Sequence, residues 1–321
     1  MFKSAAALQT LSKTNRIVFD KTGTITTGNV RVQKTEVLGT LSANEALFYV
    51  GSAELHSVHP LAKAIVAYAR EQGVTPTEPQ KTEILDGFGL ISVVNGKTVR
   101  VGKPTGAQLP NDDGFTLVTA EVDGTPVLRL ALTDTLKADA KETMEAFRAL
   151  GIETYLLSGD NRAAVCRVAE AAGIANVIAE VLPEQKAMQV AELKRDGNVT
   201  MVGDGVNDAP ALVTANTGIA VSNGTDVAIE AADIVITSQR LHSVLTAVRL
   251  SRQTMRVVKQ NLFWAFFYNC IGIPVACGVF AGAGLLLNPM IAAAAMTLSS
   301  VCVVSNALRL NLFRDRTATA G

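Results

Sequence analysis

The sequence predicts an α/β fold: a doubly wound parallel sheet, interrupted by an inserted antiparallel α+β module and followed by a two-helix transmembrane hairpin. Three observations carry this reading. First, short apolar runs that end in acidic residues alternate with segments of helical period: residues 17–19 before Asp20, 154–157 before Asp160, and 200–202 before Asp204. That is the pattern of parallel strands joined by helices. Second, two dipeptides suited to the positive φ of a type I′ turn, Asn95-Gly96 and Asp123-Gly124, stand between alternating apolar residues. Third, no charged residue occurs between Lys259 and Arg309.

Taken in order, residues 17–19 form the first buried strand, and in open α/β sheets chemistry collects at the carboxyl ends of strands. Residues 44–50 and 61–70 read as helices. Residues 91–94 with 98–101, and 116–122 with 126–130, read as hairpins. From residue 131 the alternation returns, with helices at 138–150, 162–172 and 183–195 and strands at 154–157 and 200–202. The expected domains are therefore 1–30 and 131–245 as two parts of one sheet domain, 31–130 as the insertion, and 246–321 as membrane hairpin and tail. Residues 262–287 and 289–308 each exceed or match the roughly 20 helical residues that cross a hydrocarbon core of about 30 Å. Arg252, Arg256 and Lys259 flank one end and Arg309, Arg314 and Arg316 the other. The positive-inside rule then places both ends in the cytoplasm and the turn at 281–288 outside.

Composition excludes several classes. The 321 residues carry 29 basic and 29 acidic side chains, so no global charge draws the chain to nucleic acid. The four cysteines, Cys166, Cys270, Cys277 and Cys302, show neither CxxC pairing nor zinc-finger spacing, which argues against a disulfide framework or structural zinc. The first residues lack the apolar core of a secretory signal.

If the sheet is parallel, Asp20, the segment 158–160 and the pair Asp204 and Asp208 meet at one edge. Crowded carboxylates repel unless a cation neutralises them, and hard oxygen ligands select magnesium, commonly shared with a phosphate. Lys186, three residues after Pro183, supplies a positive charge for a transferring phosphoryl group. Any one of these acids alone reads as a cap or loop residue. Together they argue phosphoryl transfer.

The motifs DKTGT at 20–24 and GDGVND at 203–208 resemble those of P-type ATPases, pumps of the haloacid dehalogenase superfamily. The resemblance implies that Asp20 attacks the γ-phosphate of ATP and becomes an aspartyl phosphate, which makes the discontinuous sheet domain a phosphorylation domain. It implies that Asp20, the Thr22 carbonyl and Asp204 hold magnesium. Thr22, Gly159 and Lys186 would contact phosphoryl oxygens, Lys21 and Asp160 would complete the catalytic set, and Asn207 and Asp208 would order the metal site. Thr22 stands where phosphatases of the superfamily carry a second aspartate for acid and base work; threonine does this poorly, so the phosphoenzyme should persist. Asp134 to Lys137 resembles the D-x-x-R/K segment near the hinge.

The insertion carries SVHP around His59 with Glu54 upstream, GFG at Gly87 and Gly89, and VGK at Gly102. Singly, such a histidine reads as a cap and such glycines as turns. In this order they resemble the nucleotide-binding domain of heavy-metal P-type ATPases, which implies adenine-side contacts for His59 and Glu54 and close backbone approach at Gly87, Gly89 and Gly102. Lys103 departs from the asparagine usual after the last glycine.

Cargo is read from the expected spans. Tyr268 and Asn269 lie in the first, and Met296 and Ser300 are spaced i, i+4 in the second. A thioether suits copper(I), and no carboxylate is present for zinc. YN followed by MxxSS resembles the copper(I)-exporting subgroup, making these four residues the candidate copper site. The implied partners are ATP, Mg2+, a heavy-metal ion and a membrane, the plasma (inner) membrane with the soluble domains cytoplasmic. Only the carboxyl-terminal portion of such a pump is matched. The Cys-Pro-Cys helix and actuator domain are expected on a separate amino-terminal half, or else the chain is a truncated product. The alternatives are a membrane-tethered phosphatase of the same superfamily, a non-catalytic nucleotide-binding remnant, and zinc as cargo.

Overall fold

The computed structural model describes residues 1–85, 88–104, 114–221, 226–277 and 289–312. Its elements in chain order begin α1 (Ala5–Ser12), β1 (Arg16–Asp20), a tight turn (Lys21–Ile25), β2 (Thr26–Val37), α2 (Ala43–Ala53) and α3 (Pro60–Glu71). Four strands follow, β3 (Lys81–Leu85), β4 (Gly89–Val94), β5 (Lys97–Gly102) and β6 (Thr116–Val122), then β7 (Thr125–Leu136) and α4 (Ala140–Ala149). The remainder is β8 (Glu153–Leu157), α5 (Arg162–Ala172), β9 (Asn176–Ile178), α6 (Pro183–Leu193), β10 (Val199–Gly203), α7 (Ala209–Thr214), β11 (Thr217–Val221), α8 (Asp226–Ala231), β12 (Ile234–Ile236), α9 (His242–Ala276) and α10 (Pro289–Leu308).

β1 is central to a six-stranded sheet of order β12-β11-β10-β1-β8-β9, in which every pairing is parallel. A strand buried on both faces reads as a continuous apolar run, and the two-residue period divides this one. Ile17 and Phe19 enter a core with Leu11 of α1, Phe147 of α4, Val165 of α5 and Val248 of α9. Val18 enters the opposite core with Val190 of α6, Leu212 of α7 and Ala228 of α8. The chain winds outward from β1 to β8 and β9, then returns to β10 on β1's other side. That reversal opens a crevice at the carboxyl ends of β1 and β10.

The second sheet, of order β2-β7-β6-β5-β4-β3, is antiparallel, with α2 and α3 packed on one face through Leu47, Val50 and Ile65. Both hairpins predicted from sequence are present. Asn95 and Gly96 have φ of 49° and 75°, Asp123 and Gly124 of 49° and 78°, as the tight turns require. A capping box starts α2: Ser42 Oγ accepts from the Glu45 amide, and Glu45 Oε2 accepts from the Ser42 amide. β2 begins, and its antiparallel partner β7 ends, beside the crevice, where Thr26 pairs with Leu136; at the far end Val37 pairs with Leu128. They are the two connections between the sheets.

The membrane expectation needs correction at the level of the described residues: among them, no helix is long and apolar enough to cross a membrane. The reason is visible in α9, whose first half is charged up to Lys259 and whose described apolar part ends at Ala276. The rest of the expected first span and the turn at 281–288 lie largely outside the described residues. α10 runs back along α9, with Asn306 Nδ2 donating to Asn261 Oδ1 at 2.8 Å. Leu262, Phe263, Phe266, Ile273, Val301 and Val304 are exposed on this pair.

Phe147 is fully buried, its ring 5.9 Å from that of Phe19, the residue before Asp20. Phe147→Ala should lower the unfolding free energy by about 3–5 kcal/mol, as expected for an aromatic truncation in a packed core. Urea denaturation followed by circular dichroism measures this, and a change under about 1 kcal/mol would mean that the site's floor is packed elsewhere.

Candidate active site

Strand β1 delivers Asp20 to the crevice, and the turn after it decides what can approach. Gly23 in that turn has φ 72°, and a Cβ there would lie 1.8 Å from Asp204 Oδ2. Only glycine allows the turn after β1 and the acid after β10 to occupy the same corner. Gly203 plays a similar part, since a Cβ on it would lie 2.7 Å from Asp208 Oδ2. Glycines of both motifs thus clear space for carboxylates.

Lys186, in the first turn of α6, crosses beneath this corner. Its Nζ donates to Asp20 Oδ1 at 2.5 Å and to Asp208 Oδ1 at 2.8 Å, with all three residues buried. Burial works against the ammonium, but the charges of Asp20 and Asp208 and their hydrogen bonds raise the Lys186 pKa above the ordinary lysine value. One cation does not neutralise the cluster. Burial, helped by Asp208 and Asp204, pushes Asp20 up to about 7; burial and Asp208 push Asp204 up to about 6. Carboxylate oxygens of Asp20, Asp204 and Asp208 all lie within 4.8 Å of one another, and among the described residues this is the one such acidic group. A hard divalent cation fits here on chemistry: oxygen donors only, close together, holding excess negative charge in a desolvated place.

Around this centre the other predicted residues fall at different distances. Lys21 is paired with Asp160, and the Asp160 amide donates to Ser158 Oγ at 3.2 Å at the end of β8. Gly159 is exposed beside them, as are Thr22 and Asn207. Lys137 Nζ donates to the Gly23 carbonyl at 3.1 Å, and burial lowers its pKa. Thr26 Oγ1 lies 2.5 Å from Asp134 Oδ2 and 2.8 Å from the Lys21 carbonyl, so β7 is tied to the turn after Asp20. The sequence alone gave no sign of Arg167. From α5 its guanidinium lies 3.7 Å from the Phe115 ring centroid and donates to Thr133 Oγ1 at 2.6 Å and to the Gly114 carbonyl at 2.8 Å. A single arginine on a helix carries no motif by which to find it.

In the second sheet, Glu54 follows α2, buried, and burial raises it to about 7 against a lowering hydrogen bond from Ser57. His59 caps α3, its Nδ1 accepting from the Leu61 amide at 3.2 Å. Gly89 and Gly102 are cross-strand partners, and a Cβ on Gly89 would lie 2.1 Å from the Val101 carbonyl oxygen. Gly87 lies outside the described residues. Asn269 Nδ2 donates to the Ala265 carbonyl within its own helix at 3.0 Å, and Ser300 is exposed. The Tyr268 and Met296 side chains lie outside the described set.

A model of the haloacid dehalogenase-like hydrolase family matches residues 14–216, and a second model of such hydrolases matches 186–248. The copper-transporting ATPase of Helicobacter felis is 43% identical over 96% of this chain and 43% of its own length. The copper-exporting P-type ATPase of Bacillus subtilis is 40% identical over 97% and 40%. The chain therefore spans less than half the length of these relatives. Among solved structures, a zinc-transporting PIB-type ATPase in its E2.Pi state has a TM-score of 0.87 at 33% identity, covering 97% of this chain and 52% of that one. The catalytic domain of the CPx-ATPase CopB-B has a TM-score of 0.66 at 29% identity, over 77% and 94%. The chain belongs to the haloacid dehalogenase-like hydrolase family, and its homologues over nearly its whole length are copper-transporting P-type ATPases.

Proposed function

We propose that this chain supplies the phosphorylation and nucleotide-binding parts of an ATP-driven heavy-metal exporter, with copper(I) as cargo and Asp20 as the phosphorylated residue. The observation that carries the reading is the buried Lys186 ammonium shared by Asp20 and Asp208, with Asp204 in reach at the switch point of the sheet. Residues 1–30 and 131–245 are the phosphorylation domain, 31–130 the nucleotide domain, and 246–321 the membrane hairpin and tail. The exposed apolar side chains of α9 and α10 support the last assignment. Copper rather than zinc follows from the relatives' names and from Met296, a soft donor.

Asp20 attacks the γ-phosphorus of ATP through a carboxylate oxygen. The new bond is Asp20 O–P, the bond that breaks joins the γ-phosphorus to the bridging oxygen, and ADP leaves with the electron pair. Lys186 aims Asp20, opposes the burial that favours its protonated form, and offers charge to the transferring group. Mg2+, held by Asp20, Asp204 and the Thr22 carbonyl, would supply charge neutralisation for the triphosphate. Asp208 and Asn207 would order that shell. Lys21, Thr22, Gly159 and Asp160 line the phosphoryl side; Glu54, His59, Gly87, Gly89 and Gly102 would take the nucleotide. Thr22 cannot deprotonate water well, so the acyl phosphate survives long enough to drive a conformational change.

Incubation with γ-labelled ATP and Mg2+ followed by acid quench tests this. Wild type should give acid-stable, hydroxylamine-labile label, Asp20→Asn none, and Lys186→Met a phosphorylation rate lower by about 10²–10³-fold, the usual loss of one charge-stabilising donor. Equal labelling of Asp20→Asn would refute the assignment.

The raised acids set a pH dependence. Asp20 binds its proton more tightly in the folded chain, at about 7 against 3.8 unperturbed, and Asp204 does so at about 6. Folding stability without metal therefore falls as pH rises from about 4 to 7 and levels off above. Mg2+ should raise the thermal midpoint strongly at pH 8, where the acids are ionised, and little at pH 5, where protons occupy them. An equal rise at both, read by scanning calorimetry, would place the metal elsewhere.

A further inference from the structure

A cavity lies away from the catalytic crevice, between α1 and the first half of α9. It is a groove of about 840 Å³. Lys13 enters it from the α1 side, and Arg252, Arg256, Lys259, Phe263 and Trp264 enter from α9. Arg252, Arg256, Lys259 and Phe263 recur at spacings of four, three and four, which puts them along one helix face, with Trp264 next to Phe263. Among the described residues, no acidic residue lines the groove and none of the four cations is paired with a carboxylate.

Their surroundings divide the cations by task. Arg252 is half-buried and spends its guanidinium on backbone carbonyls, donating to Leu150 O at 3.2 Å and Thr14 O at 3.0 Å. It fixes α9 to the phosphorylation domain. Lys13, Arg256 and Lys259 are exposed at the groove's surface. Four positive charges held together without a counter-ion repel one another unless an anion joins them. Lys259 is also the last charged residue before the uncharged stretch that ends at Arg309. Phe263 and Trp264, in edge contact with each other, begin the apolar part of α9. A polybasic cluster next to an aromatic step into apolar sequence has the chemistry of an anionic membrane surface.

We propose that this groove binds the phosphate-bearing headgroup of an anionic phospholipid, with Lys13, Arg256 and Lys259 on the phosphate and Phe263 and Trp264 against the glycerol and upper acyl region. The inference rests on the membrane reading of α9 and α10. A lipid bound here touches both α1, which leads into β1 and Asp20, and α9, so it braces the nucleotide-hydrolysing part of the chain against the bilayer.

Vesicle flotation separates this inference from the reading beneath it. The full chain is mixed at low salt with vesicles of phosphatidylcholine alone, or with a quarter phosphatidylglycerol. Three variants run beside wild type: Lys13→Gln/Arg256→Gln/Lys259→Gln, the single Lys259→Gln, and Lys63→Gln/Arg70→Gln/Lys81→Gln, a control at exposed cations of the second sheet domain. The expected result is binding to both vesicles, with at least about a tenfold preference for the anionic ones. That preference should fall by about fivefold in Lys259→Gln, be lost in the triple groove variant, and fall by less than about twofold in the control. Retained binding of the groove variants to phosphatidylcholine shows that they are folded. Binding of wild type to both vesicles without preference overturns the lipid site and leaves the membrane reading standing; binding to neither overturns both. An equal loss in the control means diffuse electrostatics and overturns the site. Full competition by millimolar glycerol phosphate would identify a soluble phosphate as the ligand, and overturns it as well.

Discussion

The buried contact of Lys186 with Asp20 and Asp208 is the constraint on which the rest of the structure depends. Two carboxylates and an ammonium cannot leave water unless the geometry is good and the charges balance. Here the balance is incomplete, because Asp204 adds a further negative charge at the same corner. Asp20 and Asp204 hold protons far above their ordinary range as a result. The site is built with an excess of negative charge that a hard cation would neutralise.

The topology serves that contact. Asp20 ends the central strand, the acids of the second motif follow the neighbouring strand β10, and Lys186 comes from α6, which leads into β10. Phe19 and Phe147 form the floor, and Gly23 and Gly203 leave the room. Lys137 and the Thr26–Asp134 contact tie the same corner to β2 and β7, the strands that lead to the second sheet. A movement of the second sheet would therefore be felt at the turn after Asp20. Arg167 bridges the same pair of units through Phe115 and Thr133.

Much of this was legible in the sequence where one residue type has one physical use. Asn95-Gly96 and Asp123-Gly124 announce their hairpins because few other residues accept positive φ. Buried strands β1, β8 and β10 announce themselves as apolar runs ending in acids. The rest is hidden for identifiable reasons. β2 is largely exposed and polar, and its twelve residues alternate only briefly, at 30–33. β9 and β12 are three residues each, and α7 and α8 six, too short to display a period. His59 is a helix cap by its Nδ1 contact, the bland reading of a lone histidine, which leaves its nucleotide role resting on resemblance. Along β7 the second sheet extends past the expected 126–130, through the buried Ala131 and Leu132 and then the polar residues 133–135 to Leu136, where the side chains no longer alternate with burial. The charge gap after Lys259 is plain in the sequence, yet the described helices do not by themselves make a span.

The measurement that bears most directly on the central claim is the position of the phosphoryl group. Acid-quenched protein from an ATP reaction would be reduced with borohydride, which converts an aspartyl phosphate to homoserine, then digested and sequenced by mass spectrometry. Homoserine at position 20 is the expected result, dependent on both ATP and Mg2+. Homoserine at 204 or 208, or phosphate found only on a serine or threonine, would contradict the assignment of Asp20 as the nucleophile that Lys186 holds in place.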